Sequence, residues 1–109
     1  MTRRHFGEFE QVLLYAVLHL QADEAGASGP TIRALIEART GRVVSPGAIY
    51  TALDRLEQRG FVRSELGEPT PERGGKRKRM YRMRPAGATA LRAAESALEQ
   101  MARLARAKH

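Results

Sequence analysis

The stretch from Gly60 to Arg84 limits the fold of this chain more than any other. Two short runs of strand type, Phe61-Val62-Arg63-Ser64-Glu65-Leu66 and Lys78-Arg79-Met80-Tyr81-Arg82-Met83-Arg84, flank a loop rich in Gly and Pro. The second run and its approach carry Arg73, Lys76, Arg77, Lys78, Arg79, Arg82 and Arg84, with no acid among them. Directly before this stretch lies an amphipathic helix, Ser45 to Arg59, opened by Ser45-Pro46 and closed by Gly60. A helix leading into a basic β-hairpin is how a winged helix-turn-helix holds duplex DNA. The helix enters the major groove and the hairpin lies along the phosphates.

The remaining periodicities supply three more helices. The first spans about Glu8 to Glu24, with Phe9, Val12, Leu13, Ala16, Val17 and Leu20 on one stripe and Leu14, Tyr15 and Leu18 off it. A helix apolar on two sides needs two surfaces to pack against, and in a chain of 109 residues the second is expected to be another subunit. The second helix is announced by Ser28-Gly29-Pro30, carries Ile32, Leu35 and Ile36 inward, and ends at Thr40-Gly41. Arg42-Val43-Val44 is too short for more than a minor strand. The last helix starts near Pro85. Leu91, Ala94, Leu98, Met101 and Ala105 form a heptad-like seam beside a second line of Ala90, Ala97 and Leu104. Two repeats do not hold a coiled coil alone, so this helix must dock on the first helix, in the same chain or in a second copy. The reading is a mainly α chain with a small β-hairpin: a winged helix-turn-helix over 1–84 and a C-terminal dimerisation helix over 85–109, packed on the same domain. The expected dimer contacts are Leu14, Leu18, Leu91, Ala94, Leu98 and Met101.

Charge location narrows the partner. Residues 1–72 hold eight basic and ten acidic side chains; residues 73–109 hold eleven basic and two acidic. The whole surplus of the +7 net charge therefore lies in the hairpin and the C-terminal segment, a distribution suited to a polyanion. Charges on an exposed sheet edge also keep it from pairing with other chains, which accounts for two or three of them but not for seven without a counter-charge. The absence of cysteine excludes disulfides and thiolate metal sites and fits a reducing cytoplasm. No apolar signal core follows the N-terminal Arg3-Arg4, and the run Val12 to Leu20 is about half of the ~20 residues a membrane span needs.

Few other motifs carry chemistry. His5, His19 and His109 lack ligand spacing, so no metal is expected. Gly74-Gly75-Lys76 lacks the earlier glycine and the Ser or Thr of a phosphate-binding loop, since Thr70 and Arg77 stand there. No nucleophile–base constellation stands out, and neither an enzyme nor a cofactor is expected. Met80, Met83 and Met101 read as core filler. On the helix from Ser45, Ile49, Ala52, Leu53 and Leu56 face inward. Ser45, Gly47, Tyr50, Thr51 and Arg55 are left for a groove, with Asp54 and Glu57 placed to hold Arg55 in a surface pair instead. Tyr50 fits equally a helix-edge packing role and a phosphate contact. Tyr81 reads as the core of the hairpin.

The run from Ser45 to Val62, with Ile49-Tyr50, Leu53, Arg55-Leu56-Glu57 and Gly60 before an apolar pair, resembles the signature of PadR-type transcriptional regulators. Gly74 to Met83, followed by Gly87, resembles that family's wing strand and the start of its next helix. The resemblance covers nearly the whole chain in order and is most specific in the helix. One departure is Arg84, where the family usually has a capping Thr; Pro85 offers part of the same start. With room for a single C-terminal helix, the chain looks like the short subgroup. The resemblance implies a homodimeric repressor with a small aromatic effector between its subunits. Some relatives stack such ligands on a Trp of the C-terminal helix, and this chain has no Trp. The expectation is thus a dimeric, sequence-specific DNA-binding regulator, with Arg73, Lys76, Arg77, Lys78 and Arg79 on phosphate. A non-specific nucleoid-associated or RNA-binding protein is the alternative.

Overall fold

The computed structural model describes residues 6–69 and 77–109. Its order is α1 (Glu8–Leu20), α2 (Gly29–Thr40), α3 (Pro46–Gln58), β1 (Val62–Pro69), β2 (Arg77–Met83) and α4 (Pro85–Arg106). The chain is mostly helical with one antiparallel hairpin, as expected. Local chemistry sets most boundaries. Ser28 caps α2 by accepting from the Thr31 N–H, and the Thr31 hydroxyl accepts in return from the Ser28 N–H at 2.9 Å. Gly41 closes α2 in the left-handed region at φ 75°, where a side chain would be strained. Ser45 caps α3, accepting from the Ala48 N–H at 3.1 Å, and Pro46 occupies the first turn.

Some boundaries differ from the sequence reading. The first helix ends at Leu20 rather than near Glu24. Asp23 and Gly26 donate to the carbonyls of Leu20 and Asp23 in successive turns, and the Gln21 side chain accepts from the Met83 N–H at 2.8 Å, spending that residue on the hairpin. The 42–44 segment forms no strand; the Val44 carbonyl instead accepts from Arg33 Nε at 2.8 Å. At α4 the missing cap has the anticipated consequence. Arg84 makes no side-chain capping bond, Pro85 stands in the first turn, and the Arg84 N–H is used on the Phe61 carbonyl at 2.9 Å. Gly87 lets this helix lie against the strand entry, because a Cβ there would collide with the Phe61 carbonyl oxygen.

A single core joins all these elements. Leu13, Leu14, Val17, Ile32, Ile49, Leu53, Leu56 and Val62 are fully shielded, with Tyr81 and Leu91 nearly so. Leu14 therefore belongs to the chain's own interior, and so does Leu91. Neither is left for a second copy, a correction to their reading as dimer contacts. Periodicity placed Leu14 off the inner stripe, but α2, α3, α4 and the hairpin strand β2 all pack against α1. Of the other expected contacts, Ala94 is half-buried, while Leu18, Leu98 and Met101 are exposed. Met101 is thus not core filler, whereas Met83 packs on the core. Arg59 stacks on Phe6 and Phe61, its guanidinium 5.2 and 4.8 Å from their ring centres. No described helix is long and apolar enough to cross a membrane.

Candidate nucleic-acid interface

The hairpin's alternation decides which residues meet α3. Val62, Ser64 and Leu66 pair with Met83, Tyr81 and Arg79, and these six share one face. Tyr81 seals that face. Burial, and next the Asp54 carboxylate, push its hydroxyl up to about 12. The opposite face carries Met80, whose methyl lies over Gly26 and whose chain lies over Gly67. Behind β2 the backbone continues the sheet: the Tyr81 N–H donates to the Ala27 carbonyl at 2.8 Å, and Ser28 bridges to Met80. The hairpin is thereby fastened to the start of α2 on one edge and to α3 on one face.

This fastening assembles a basic, concave surface. Ser28 and Pro30 from the start of α2, Tyr50 from α3, and Leu66, Arg77, Lys78 and Arg79 from the hairpin line one cleft of about 220 Å³. Tyr50 is 40% exposed, and its ring closes on Gly29 so tightly that a Cβ there would strike it. It therefore packs and faces solvent at once, taking the first of its two expected roles without losing the second. Arg77 Nε donates to the Gly67 carbonyl at 2.8 Å, and Arg79 Nη1 donates to Ser64 Oγ at 3.1 Å. Each guanidinium is oriented yet keeps donors for an anion. Arg73 and Lys76 lie outside the described residues.

On α3 the outward residues Ser45, Gly47, Tyr50, Thr51 and Arg55 are all exposed. A Cβ at Gly47 would meet nothing within 4 Å, so the fold does not demand that glycine. Asp54 and Glu57 do not hold Arg55, whose guanidinium has no hydrogen bond or ion pair among the described residues. Glu57 turns to the hairpin instead, accepting from the Ser64 N–H at 3.1 Å and from its hydroxyl at 2.9 and 3.0 Å. That partnership was not read from the sequence. A glutamate flanked by arginines signals a surface pair, and nothing local points to a serine seven residues on.

Away from this surface, Tyr15 on α1 donates to Glu95 on α4 at 2.8 Å. Burial, then that bond, raises its hydroxyl above the ordinary tyrosine value. An open groove of about 560 Å³ runs between α1 and α2, lined by Val12, Tyr15, Ala16, His19, Leu35 and Arg39 among others. Among the described residues no group of three or more His, Asp or Glu side chains is placed to hold a metal ion.

Comparison with known proteins agrees with this geometry. Residues 10–93 match the family described as the transcriptional regulator PadR-like family. The chain is 42% identical over 66 residues to transcriptional regulator Rv3488 of Mycobacterium tuberculosis; the match covers 61% of this chain and 58% of that protein, under two thirds of its length. Among solved structures, the putative transcriptional regulator TA0346 of Thermoplasma acidophilum superposes with a TM-score of 0.69 at 24% identity, covering 87% of this chain and 86% of that one. A PadR-like transcriptional regulator of Bacillus cereus gives 0.70 at 17% identity, over 90% and 87%. Bacillus subtilis PadR in complex with operator DNA gives 0.62 at 18% identity, over 78% and 46%. At these identities the structures establish the fold, a winged helix.

Proposed function

The chain belongs to the PadR-like family of transcriptional regulators, and from that premise we propose that it is a homodimeric, sequence-specific DNA-binding repressor. One observation carries the reading. Tyr50 of α3 and Arg77, Lys78 and Arg79 of β2 line one concave cleft. A helix presenting Thr51 and Arg55 reads base edges, while arginines on a fixed hairpin hold phosphates. The capped start of α3, with Ser45 and Gly47, approaches the backbone, where its free N–H groups favour an anion. The operator complex of the Bacillus subtilis protein supports the same use of a similar fold.

The dimer part of the proposal rests on α4. Leu98, Met101 and Leu104 are 60, 64 and 62% exposed along its second half, and Tyr15 and Leu18 on α1 are 40 and 42% exposed. An apolar row of that extent on a projecting helix marks a partner surface, and a two-fold related copy offers the same row. The reading includes a small aromatic effector between the subunits, with Tyr15 the ring that α1 exposes there.

Selection of bound duplexes from a random pool tests the reading. A repressor of this kind recovers a defined motif and binds it ~10³-fold or more tightly than unrelated DNA. Recovery of no motif, with salt-dependent binding to every duplex, would assign the surface to a non-specific nucleoid-associated or RNA-binding role. Changing Arg77 and Arg79 together to Ala should weaken every duplex and flatten the salt slope by up to about 1.8. An unchanged slope would remove the hairpin from the interface.

A further inference from the structure

Glu57, Ser64 and Arg79 form one connected chain from the last turn of α3, through β1, to the exposed edge of β2. The direction of each bond follows from chemistry. A carboxylate only accepts and a guanidinium only donates, so Ser64 must accept from Arg79 and give its one hydroxyl proton to Glu57. The single hydroxyl oxygen of Ser64 does both at once. The Ser64 backbone N–H adds a second donor to Glu57 at 3.1 Å, so the carboxylate is gripped from two atoms of one residue. Glu57 and Ser64 are half-buried and Arg79 is exposed. The relay therefore starts inside the fold and ends at the surface. Register explains why the three meet: Ser64 lies opposite Tyr81, and Arg79 is the diagonal neighbour two residues away on the same face.

We infer that Glu57 and Ser64 are positioning residues. They fix the direction of the Arg79 guanidinium relative to α3, so that hairpin and helix engage DNA in a single register. The inference rests on the DNA-binding reading above and deepens it. Arg79 spends one N–H on Ser64 and keeps four for a phosphate. A guanidinium already ordered loses less side-chain freedom on binding. That gain is realised only where α3 also fits its bases. On unrelated DNA the hairpin slides and its charge alone suffices. The relay thus raises discrimination rather than general affinity.

The test uses the duplex recovered by selection and an unrelated duplex of equal length, each titrated over a range of salt. Ser64→Ala keeps the Arg79 charge. It should weaken the selected duplex about fivefold to tenfold, leave the unrelated duplex unchanged and leave both salt slopes unchanged. Ser64→Thr, which keeps the hydroxyl, should restore the selected duplex. Arg79→Ala should weaken both duplexes and lower the slope by about 0.9, and adding Ser64→Ala to it should cost nothing further. Should Ser64→Ala not fold, Arg79→Lys carries the test at an exposed site. It keeps the charge but not the rigid fork, and should match the loss expected of Ser64→Ala. The relay is overturned if Ser64→Ala or Arg79→Lys binds the selected duplex as the wild type does. It is equally overturned if Thr fails as Ala does, or if the losses at Ser64 and Arg79 simply add. A wild-type chain that binds no duplex overturns the DNA-binding reading, a result distinct from any of these.

Discussion

Two glycines show how position divides structural from functional demand. Gly29 sits under the Tyr50 ring with no room for a Cβ. Gly29→Ala must displace that ring from its place against α2. Overpacking of this kind costs roughly 1–3 kcal/mol, and a thermal or denaturant melt should show the loss. Gly47 borders open space in the same part of the molecule. Gly47→Val should leave stability within about 0.5 kcal/mol yet abolish binding to the selected duplex, because the new branches stand between α3 and the groove. A variant that melts as the wild type does and still binds its motif would take that turn out of the interface. Arg55 extends the contrast. Free of Asp54 and Glu57, it is available to a base. Arg55→Ala should cost about 1–3 kcal/mol at one base position with little change in melting. An unaltered selected motif would remove Arg55 as a reader.

Among the elements, the hairpin holds the tyrosine whose proton is most tightly kept. Burial and the neighbouring Asp54 raise the Tyr81 hydroxyl from 10.0 to about 12. The folded state thus holds this proton more tightly than the unfolded chain. The stabilisation is fully present below pH 10 and is lost as pH rises toward 12, a change on the order of 2 kcal/mol. Tyr81→Phe should flatten that decline, seen by following unfolding free energy against pH for both chains. An identical decline would show that other groups govern it. Elements were also where the sequence was most legible. Ser28-Gly29-Pro30 and Ser45-Pro46 located two helix starts, because capping is local chemistry, and two runs of strand type around a turn-rich loop located both strands. What connects elements was not legible. Leu14 and Leu91 are apolar at helical spacing whichever surface covers them, so periodicity could not tell an inner contact from an outer one. The bond from Gln21 to Met83 and that from Tyr15 to Glu95 join residues 62 and 80 positions apart. No local pattern announces them. The outward residues of α3 were legible because a capped helix with one apolar stripe leaves few others outward, whereas the Glu57–Ser64–Arg79 relay needed the register of the hairpin.

At the scale of the whole molecule, α4 determines what the chain can do. Its first two turns sit in the common core through Ala90 and Leu91, its later apolar residues lie exposed, and the molecule has a long axis of 57 Å against 33 and 24 Å. A helix that leaves its own domain with Leu98, Met101 and Leu104 uncovered is marginal alone, since isolated helices of this length are barely stable in water. Covering it with a second copy buries the row and sets two α3 helices at a fixed separation, which is what a two-fold operator requires. Changing Leu98 and Leu104 together to Asp tests this without touching the interior, because neither contributes to the core of the chain. Sedimentation should shift from dimer to monomer, while the unfolding of the α1–α3 core stays cooperative. Affinity for the selected duplex should fall by roughly 10²–10⁴, the gain that linking two half-site contacts supplies, whereas binding to unrelated DNA should fall far less. A wild-type chain that sediments as a folded monomer at micromolar concentration would refute the dimer. A double variant that remains dimeric would move the interface off the exposed row of α4.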